Sequence, residues 1–427
     1  MATAAGPGQP VTGPAVAAEQ VPLRRNRDFN LLWGGQAVSL LGTQMSVIAY
    51  PLLILTVTGS AAQAGIVSGA TLIGTVALLL PAGVVADRYP RKRILMITSL
   101  AQMIAVATVV PAGLTHRVYL AHLAAVGLTQ GVASAFYIGA SRGAVRRIVP
   151  AIQLPHALSR LFARDQAAAL LGPPIGGALF GVAQFLPFAC DSASFGAVAT
   201  AAAMLRGPLD PAAEAADGSN AVPRVPIRRA VTNGMRYLIG QPFLRTVAIW
   251  SAAVNAVAAA MLLMVIVLAR SRGATPLVIG GMFSVNAACG LAGALTAPRL
   301  INLVGGRRMA LTTSWLLPAC AVGIAFAPWV WLIASLGAVT TFTVMPVNVS
   351  FQARATQITP DEMQGQVGNA QQLFGTSLMW LAPPSAGALT DVIGPAGAIL
   401  AAAGLYAITA VWLQFNAGLR QLDDRRA

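Results

Sequence analysis

From residue 29 onward, long apolar runs alternate with short polar breaks along almost the whole chain. Twelve runs stand out, near 29–57, 64–86, 94–113, 118–141, 161–182, 186–205, 244–269, 276–298, 309–327, 329–351, 367–389 and 395–416. Each is close to the roughly 20 residues a helix needs to cross a hydrocarbon core about 30 Å thick. In lipid the backbone must satisfy its own hydrogen bonds, which leaves only helices and closed barrels. The runs therefore predict an all-α membrane protein with twelve transmembrane helices.

The breaks divide these helices into two sets. Residues 206–243, centred on GPLDPAAEAADGSNAVPRVP, form the one long polar stretch after the amino-terminal tail. They are expected to link two six-helix bundles, 28–205 and 244–416, with tails at 1–27 and 417–427. The sets also resemble each other. PPIGGAL at Pro173–Leu179 recurs as PPSAGAL at Pro383–Leu389, an offset of 210, and Ile148-Val149-Pro150 falls on Ile358-Thr359-Pro360 at the same offset. RKR at 91–93 falls on GRR at 306–308 with an offset of 215. Parallel repeats of this kind place a transport site at the interface of the halves, near the bilayer midplane.

Composition supports the membrane reading, since 10% of the 427 residues are charged and the mean hydropathy is +0.69, against about 25% charged in soluble domains. The net charge of +15 lies in short clusters between apolar runs rather than on a stripe with interleaved aromatics, so no nucleic-acid partner is expected. With the amino terminus in the cytoplasm, only Arg117, Arg270 and Arg272 of the 28 basic residues fall outside, leaving 25 inside. That is the positive-inside bias, and it puts both termini in the cytoplasm. Residues 1–22, rich in Gly, Pro and Ala, lack the basic start and apolar core of a secretory signal and are expected to be disordered. Cys190, Cys289 and Cys320 lie far apart inside apolar runs and are expected to be small buried hydrophobes.

The stretch GVVADRYPRKR, 83–93, concentrates charge between the second and third runs. Arg88, Arg91, Lys92 and Arg93 would hold the loop in the cytoplasm, and Pro90 would help it turn. Asp87 does not fit that purpose. It sits at a helix carboxyl end, where the macrodipole disfavours an anion by a few tenths to about 1 kcal/mol. Its partner is either Arg88 or Arg91, or the amino end of another helix starting on the same side. The second contact can form in one conformation and break in another.

This loop resembles that of the major facilitator superfamily, Gly-x-x-x-Asp-Arg-x-Gly-Arg-Lys/Arg. Gly83, Asp87, Arg88, Arg91 and Lys92 match it, and Pro90 replaces the second glycine. The resemblance implies that Asp87 meets the cytoplasmic start of the eleventh helix in the outward-facing state; the second repeat has Asn302 at the corresponding position. LLGPPIGGALFG at 170–181 resembles the superfamily's antiporter signature at Gly172, Pro173, Gly176 and Gly177, with Ala168 for the upstream glycine. The same glycines also suit close helix packing. NRDFNLLWGGQAVSLLGTQM, 26–45, and CDSASF, 190–195, are similar to macrolide and siderophore exporters of the third drug-proton antiporter group. In the fourth run several drug exporters carry Arg-x-x-Gln-Gly; here Gln130 and Gly131 remain, with Gly127 in the arginine's place.

Glu19, Glu214 and Glu362 lie in tails or loops, leaving Asp191 and Asp165 as candidates for proton coupling within the membrane. Either also fits as an anion at the start of a helix. Gln36, Gln44, Tyr50, Gln130, Asn255 and Asn286 are candidate cavity residues, and each equally suits an interhelical hydrogen bond. There is no GxxxxGK[ST] phosphate loop, and His116, His122 and His156 belong to no recognisable catalytic motif. No enzyme activity, cofactor or metal is expected. The expected protein is a monomeric, multi-pass exporter of a bacterial inner membrane. It would move a small amphipathic compound outward by alternating access against protons, with the lipid bilayer as its surroundings. An importer of a small metabolite and a non-transporting sensor or scaffold are the alternatives.

Overall fold

The computed structural model describes residues 22–115, 119–206, 209 and 227–422, with side chains throughout except at 80, 87 and 227–230, and is free of strands over that range. Residues 1–21 of the expected tail, half of the linker, Arg117 and the Asp87 side chain fall outside it.

The first helix, α1 (Arg27–Thr58), starts at Asn26, whose side chain accepts from the Phe29 amide at 3.0 Å. It stops at Gly59, whose φ of 69° is a left-handed conformation that glycine adopts without strain. Ser60 follows at once as the cap of α2 (Ala61–Arg88), so the chain reverses in two residues. The first half continues with α3 (Arg91–Ala107) running into the short α4 (Val109–Leu114), then α5 (Leu120–Ile148), α6 (Leu154–Val182) and α7 (Leu186–Ala203). Within the expected linker lies α8 (Ile227–Gly240). The second half comprises α9 (Pro242–Ser271), α10 (Pro276–Val304), α11 (Gly306–Phe326), α12 (Val330–Ile358), α13 (Gln364–Thr376) and α14 (Ala382–Phe415). Gly394, at a φ of 76°, breaks α14 into two helical parts.

All twelve apolar runs fall on these helices, the third on α3 and α4, and the last two on α13 and the two parts of α14. Among the described residues nine helices are long and apolar enough to cross a membrane. Several boundaries differ, since the fourth, eighth and tenth runs end at 141, 298 and 351 whereas α5, α10 and α12 continue to Ile148, Val304 and Ile358. The fifth run begins at 161, whereas α6 begins at Leu154. Its first turns carry His156, Ser159 and Arg160, so the apolar criterion missed them although the backbone is already helical. Asp165 therefore sits eleven residues into a helix, well past the amino end.

In the first half α1 packs on α6 and α7, α2 on α5, and α3 on α5 and α7; in the second, α9 packs on α14, α10 on α12, and α11 on α12 and α14. Between the halves α2 meets α14 and α6 meets α10. The helix ends define two faces. One, holding residues 88–93, 146–147 and 307–308, is arginine-rich; the other, holding the turns at 59–60 and 272–275, is arginine-poor. On the arginine-rich face α8 rests on α13, with Leu238 buried and the Tyr237 hydroxyl donating to the Ile358 carbonyl at 2.8 Å.

The cores are aliphatic with aromatic anchors, such as Trp250 edge-on to Phe351 at 5.2 Å. Many large apolar side chains point outward, among them Leu295, Leu303 and Val392, as expected of helices facing acyl chains. Cys320 is buried as anticipated, but Cys289 is half-buried and Cys190 is exposed. Cys190 lies on the outward side of α7, so its apolar surroundings there are lipid rather than protein.

Candidate functional site

The halves are joined by two seams of nearly identical construction. At the first, a Cβ on Gly177 of α6 would overlap the Pro276 carbonyl of α10, and a Cβ on Gly280 of α10 would overlap the Pro173 carbonyl of α6. At the second, a Cβ on Gly387 of α14 would overlap the Ala61 carbonyl of α2, and one on Gly65 of α2 would overlap the Pro383 carbonyl of α14. Residues 173 and 177 map to 383 and 387 at the offset of 210, while 61 and 65 map to 276 and 280 at 215. The sequence repeat is therefore a repeat of contacts, and the two seams are related by the pseudo-symmetry of the chain. Small residues let the backbones touch.

Both seams lie toward the arginine-poor face. Among the described residues, so do the hydrogen bonds that cross between the halves. Asp391 of α14 accepts from Ser60, Ala61 and Ala62 at 2.7–3.0 Å, and Arg270 of α9 donates to Thr56 at 2.9 Å and to the Leu52 carbonyl at 3.3 Å. Ser284 of α10 donates to the Leu170 carbonyl at 2.6 Å.

Inside the first half, α1 carries two polar groups about ten residues, or roughly 15 Å, apart. Nearer the arginine-rich face, buried Gln36 donates to Ser141 of α5 and accepts from Nη1 of Arg164, both at 2.5 Å. Arg164 also pairs with Asp165 at 2.8 Å; the arginine side chain is only 9% exposed, while the carboxylate is 52% exposed. Tyr137 approaches the same group. A largely buried cation ten residues into an apolar helix makes Arg164 a candidate functional residue. Farther along α1, Ser46 donates to Asp191 of α7 at 2.6 Å. Asp191 is fully buried, and its second carboxylate oxygen, Oδ1, has no hydrogen-bond partner among the described residues; the nearby Tyr50 hydroxyl is likewise unpartnered. Gly42 makes room for this group, since a Cβ there would press on Ser194 and Asp191.

The sequence pattern of the Major Facilitator Superfamily matches residues 32–383. The chain belongs to the major facilitator superfamily. It is 26% identical over 396 residues to the multidrug efflux pump Tap of Mycolicibacterium fortuitum, covering 90% of this chain and 94% of Tap. To Tap of Mycobacterium tuberculosis strain H37Rv it is 28% identical over 398 residues, covering 90% and 91%. Among solved structures it resembles a bacterial homologue of the human lysosomal transporter Spinster, in an inward-facing and occupied conformation. The TM-score is 0.74 at 13% identity, covering 96% of this chain and all of that one. The nucleoside transporter NupG gives 0.71 at 12% identity, covering 91% and 98%. At these identities the structural likeness speaks for the fold alone.

Within this superfamily fold, the motif residues divide by what they touch. Gly172 and Gly176 face α1, against Gln44 and Met45, while Gly177 faces α10. The antiporter-type motif thus ties α6 to its own half on one side and to the opposite half on the other. In the loop motif Gly83 has open space around it, and Arg88 and Arg93 are exposed. Arg91 and Lys92 are not simply cytoplasmic anchors as their charge suggested. Arg91 is 7% exposed and lies against Gly143 of α5, and Lys92 donates to the Leu205 carbonyl just past the end of α7 at 2.8 Å. A cation there complements the carboxyl end of the helix. Replacing Lys92 with alanine should lower unfolding stability in detergent by about 1 kcal/mol, whereas Arg93→Ala should leave it unchanged.

The remaining candidates are scattered. Gln130 is buried in α5, beside a tight α2–α5 contact in which Gly127 faces Thr71 and Gly131 faces the Thr71 carbonyl. The position taken by arginine in other exporters is therefore packed against α2 here. Asn255 donates to the Gly375 carbonyl at 3.1 Å, and Asn286 lies against Gly337 of α12. Both are helix contacts within the second half. A groove of about 740 Å³ between α11 and α14, lined by Arg307, Trp315 and Phe415, opens on the outer wall of the second half and is remote from the interface. Sequence reading missed Ser46 as a partner of Asp191, and Ser141 and Arg164 as partners of Gln36. A lone serine or arginine in an apolar run carries no spacing signal; each gains meaning only from the side chain opposite.

Proposed function

We propose that this protein is a proton-coupled exporter of small amphipathic drugs in a bacterial inner membrane, with both termini in the cytoplasm. The observation that carries this reading is the pair of backbone seams on the arginine-poor face. They hold that face together, and the hydrogen bonds described between the halves lie toward it as well. The bias of 25 basic residues to 3 makes the arginine-rich side cytoplasmic, so the seams join the halves at the outer face, the arrangement an inward-facing state requires. A compound entering from the cytoplasmic side leaves once the seams part and the opposite ends of the halves close, which is alternating access. The relationship to the Tap efflux pumps supports outward movement of drugs.

The two groups on α1 take different parts. Asp191 exchanges the coupling proton, being buried with one hydroxyl donor and a free oxygen. Arg164, with Gln36 and Asp165, lines the inward path and orients polar parts of the compound. Asp87 serves as the switch of the loop motif, engaging the start of α13 when the inward side closes. The expected result is several-fold lower accumulation of a lipophilic fluorescent dye in cells making the protein, an effect abolished by a protonophore. Higher accumulation would point to import, and an unchanged level across a broad panel of dyes would sink the transport reading.

A further inference from the structure

The two seams match in backbone but not in charge. Asp391, exposed at the end of the first part of α14, accepts from the Ser60 hydroxyl at 2.7 Å and from the amides of Ala61 and Ala62 at 2.9 and 3.0 Å. Ser60 is the cap of α2, so the carboxylate satisfies two of the amides that a helix amino end leaves unpaired, and it sits where the helix dipole favours an anion. At the other seam the offsets of 210 and 215 place Gly181 opposite Thr275, Pro276 and Leu277. Gly181 has no side chain and open space around it. Pro276 has no N–H to donate, while the Thr275 hydroxyl, like that of Ser60, accepts from the amide three residues on. The second seam therefore lacks both the anion and one of the donors that would hold it.

We propose that Asp391 is a one-sided latch that sets how often the arginine-poor face opens, while the α6–α10 seam is held by backbone contact and the neutral Ser284–Leu170 hydrogen bond. The proposal rests on the alternating-access reading above. Asp391 touches neither of the polar groups on α1. It acts through α2, as a positioning residue for the opening step. Its three hydrogen bonds are charge-assisted, but they are exposed to water and individually modest. Their loss should therefore shift the balance of states without unfolding the bundle.

The test uses the full chain with its three cysteines replaced by alanine and spin labels at positions 66 and 392, two exposed sites flanking the α2–α14 seam. Distances are measured by pulsed electron resonance in lipid nanodiscs, with and without a transported dye. Wild type should give a short and a long distance whose ratio responds to the dye. Asp391→Asn should raise the long-to-short ratio about fivefold. Ala61→Pro should raise it less; it removes one donor while installing the residue found at the matching place in the other seam. A proline is tolerated at the first helical position, so this variant keeps the test open should Asp391→Asn fail to insert. An unchanged ratio in these variants overturns the latch while leaving alternating access intact. A single distance in wild type under every condition overturns both.

Discussion

Replacing Gly177 with valine should reduce dye export at least tenfold, with a normal amount of protein in the membrane. Gly181→Val, one turn further along α6, should export normally. The contrast follows from what each site faces. A Cβ at 177 would overlap the Pro276 carbonyl and lie 3.1 Å from Leu277 Cα. Both are backbone atoms of the opposite half and cannot turn aside as a side chain would. Overpacking of this kind costs about 1–3 kcal/mol, and here the cost falls on one conformation only, the one with the arginine-poor face closed. A shift of 1.4 kcal/mol between states is tenfold in population, and a pump that cannot close one side leaks its gradient instead of using it. Gly387→Val, the pseudo-symmetric change, should behave like Gly177→Val. The measurement is initial export rate divided by membrane protein level. Normal export by Gly177→Val would show that the seam does not need to close.

Asp191→Asn should abolish gradient-driven export while sparing exchange of dye down its own gradient. In inverted vesicles the wild-type rate should rise as the compartment equivalent to the cell exterior is acidified from about pH 8 to 6, and the variant's rate should stay flat. The amide keeps the acceptor for Ser46, 2.6 Å away, so position and packing are preserved and only the exchangeable proton is lost. A carboxyl group fully out of solvent is costly to keep charged. Coupling demands a group whose proton occupancy changes with conformation, and no other acid in the described spans is buried to this degree. Retained uphill export by Asp191→Asn would move the coupling role elsewhere, with Asp165 the next to test.

Much of the architecture was legible because lipid imposes a simple rule on sequence. Runs such as 94–113 must be apolar and of a set length, and the chain has few other ways to satisfy its backbone. The repeat of PPIGGAL as PPSAGAL also pointed at the interface, although it gave no hint that Gly65 and Gly280 complete each contact. Those two glycines look like any small residue in a membrane helix, and their meaning depends on the helix opposite. Asp391 was hidden for a related reason. Lying between the last two apolar runs, it reads as an ordinary loop acid, and only the folded chain brings it to a helix end 330 residues away in sequence. The beginning of α6 was misplaced because polarity, rather than backbone conformation, was being read. Arg91 and Lys92 counted toward the charge bias, but the same side chains are turned inward onto α5 and the end of α7, which a count of charges cannot reveal.

The two seams have one mechanical consequence. Each is at heart a contact of backbone on backbone, seated where the opposite glycine leaves room. Two such points fix the register in which the halves meet whenever the arginine-poor face closes. The seams thus behave as a pair of seats, which part without any repacking of bulky side chains and come back together in one alignment only. A large residue at either point would prop that face open without touching the cargo.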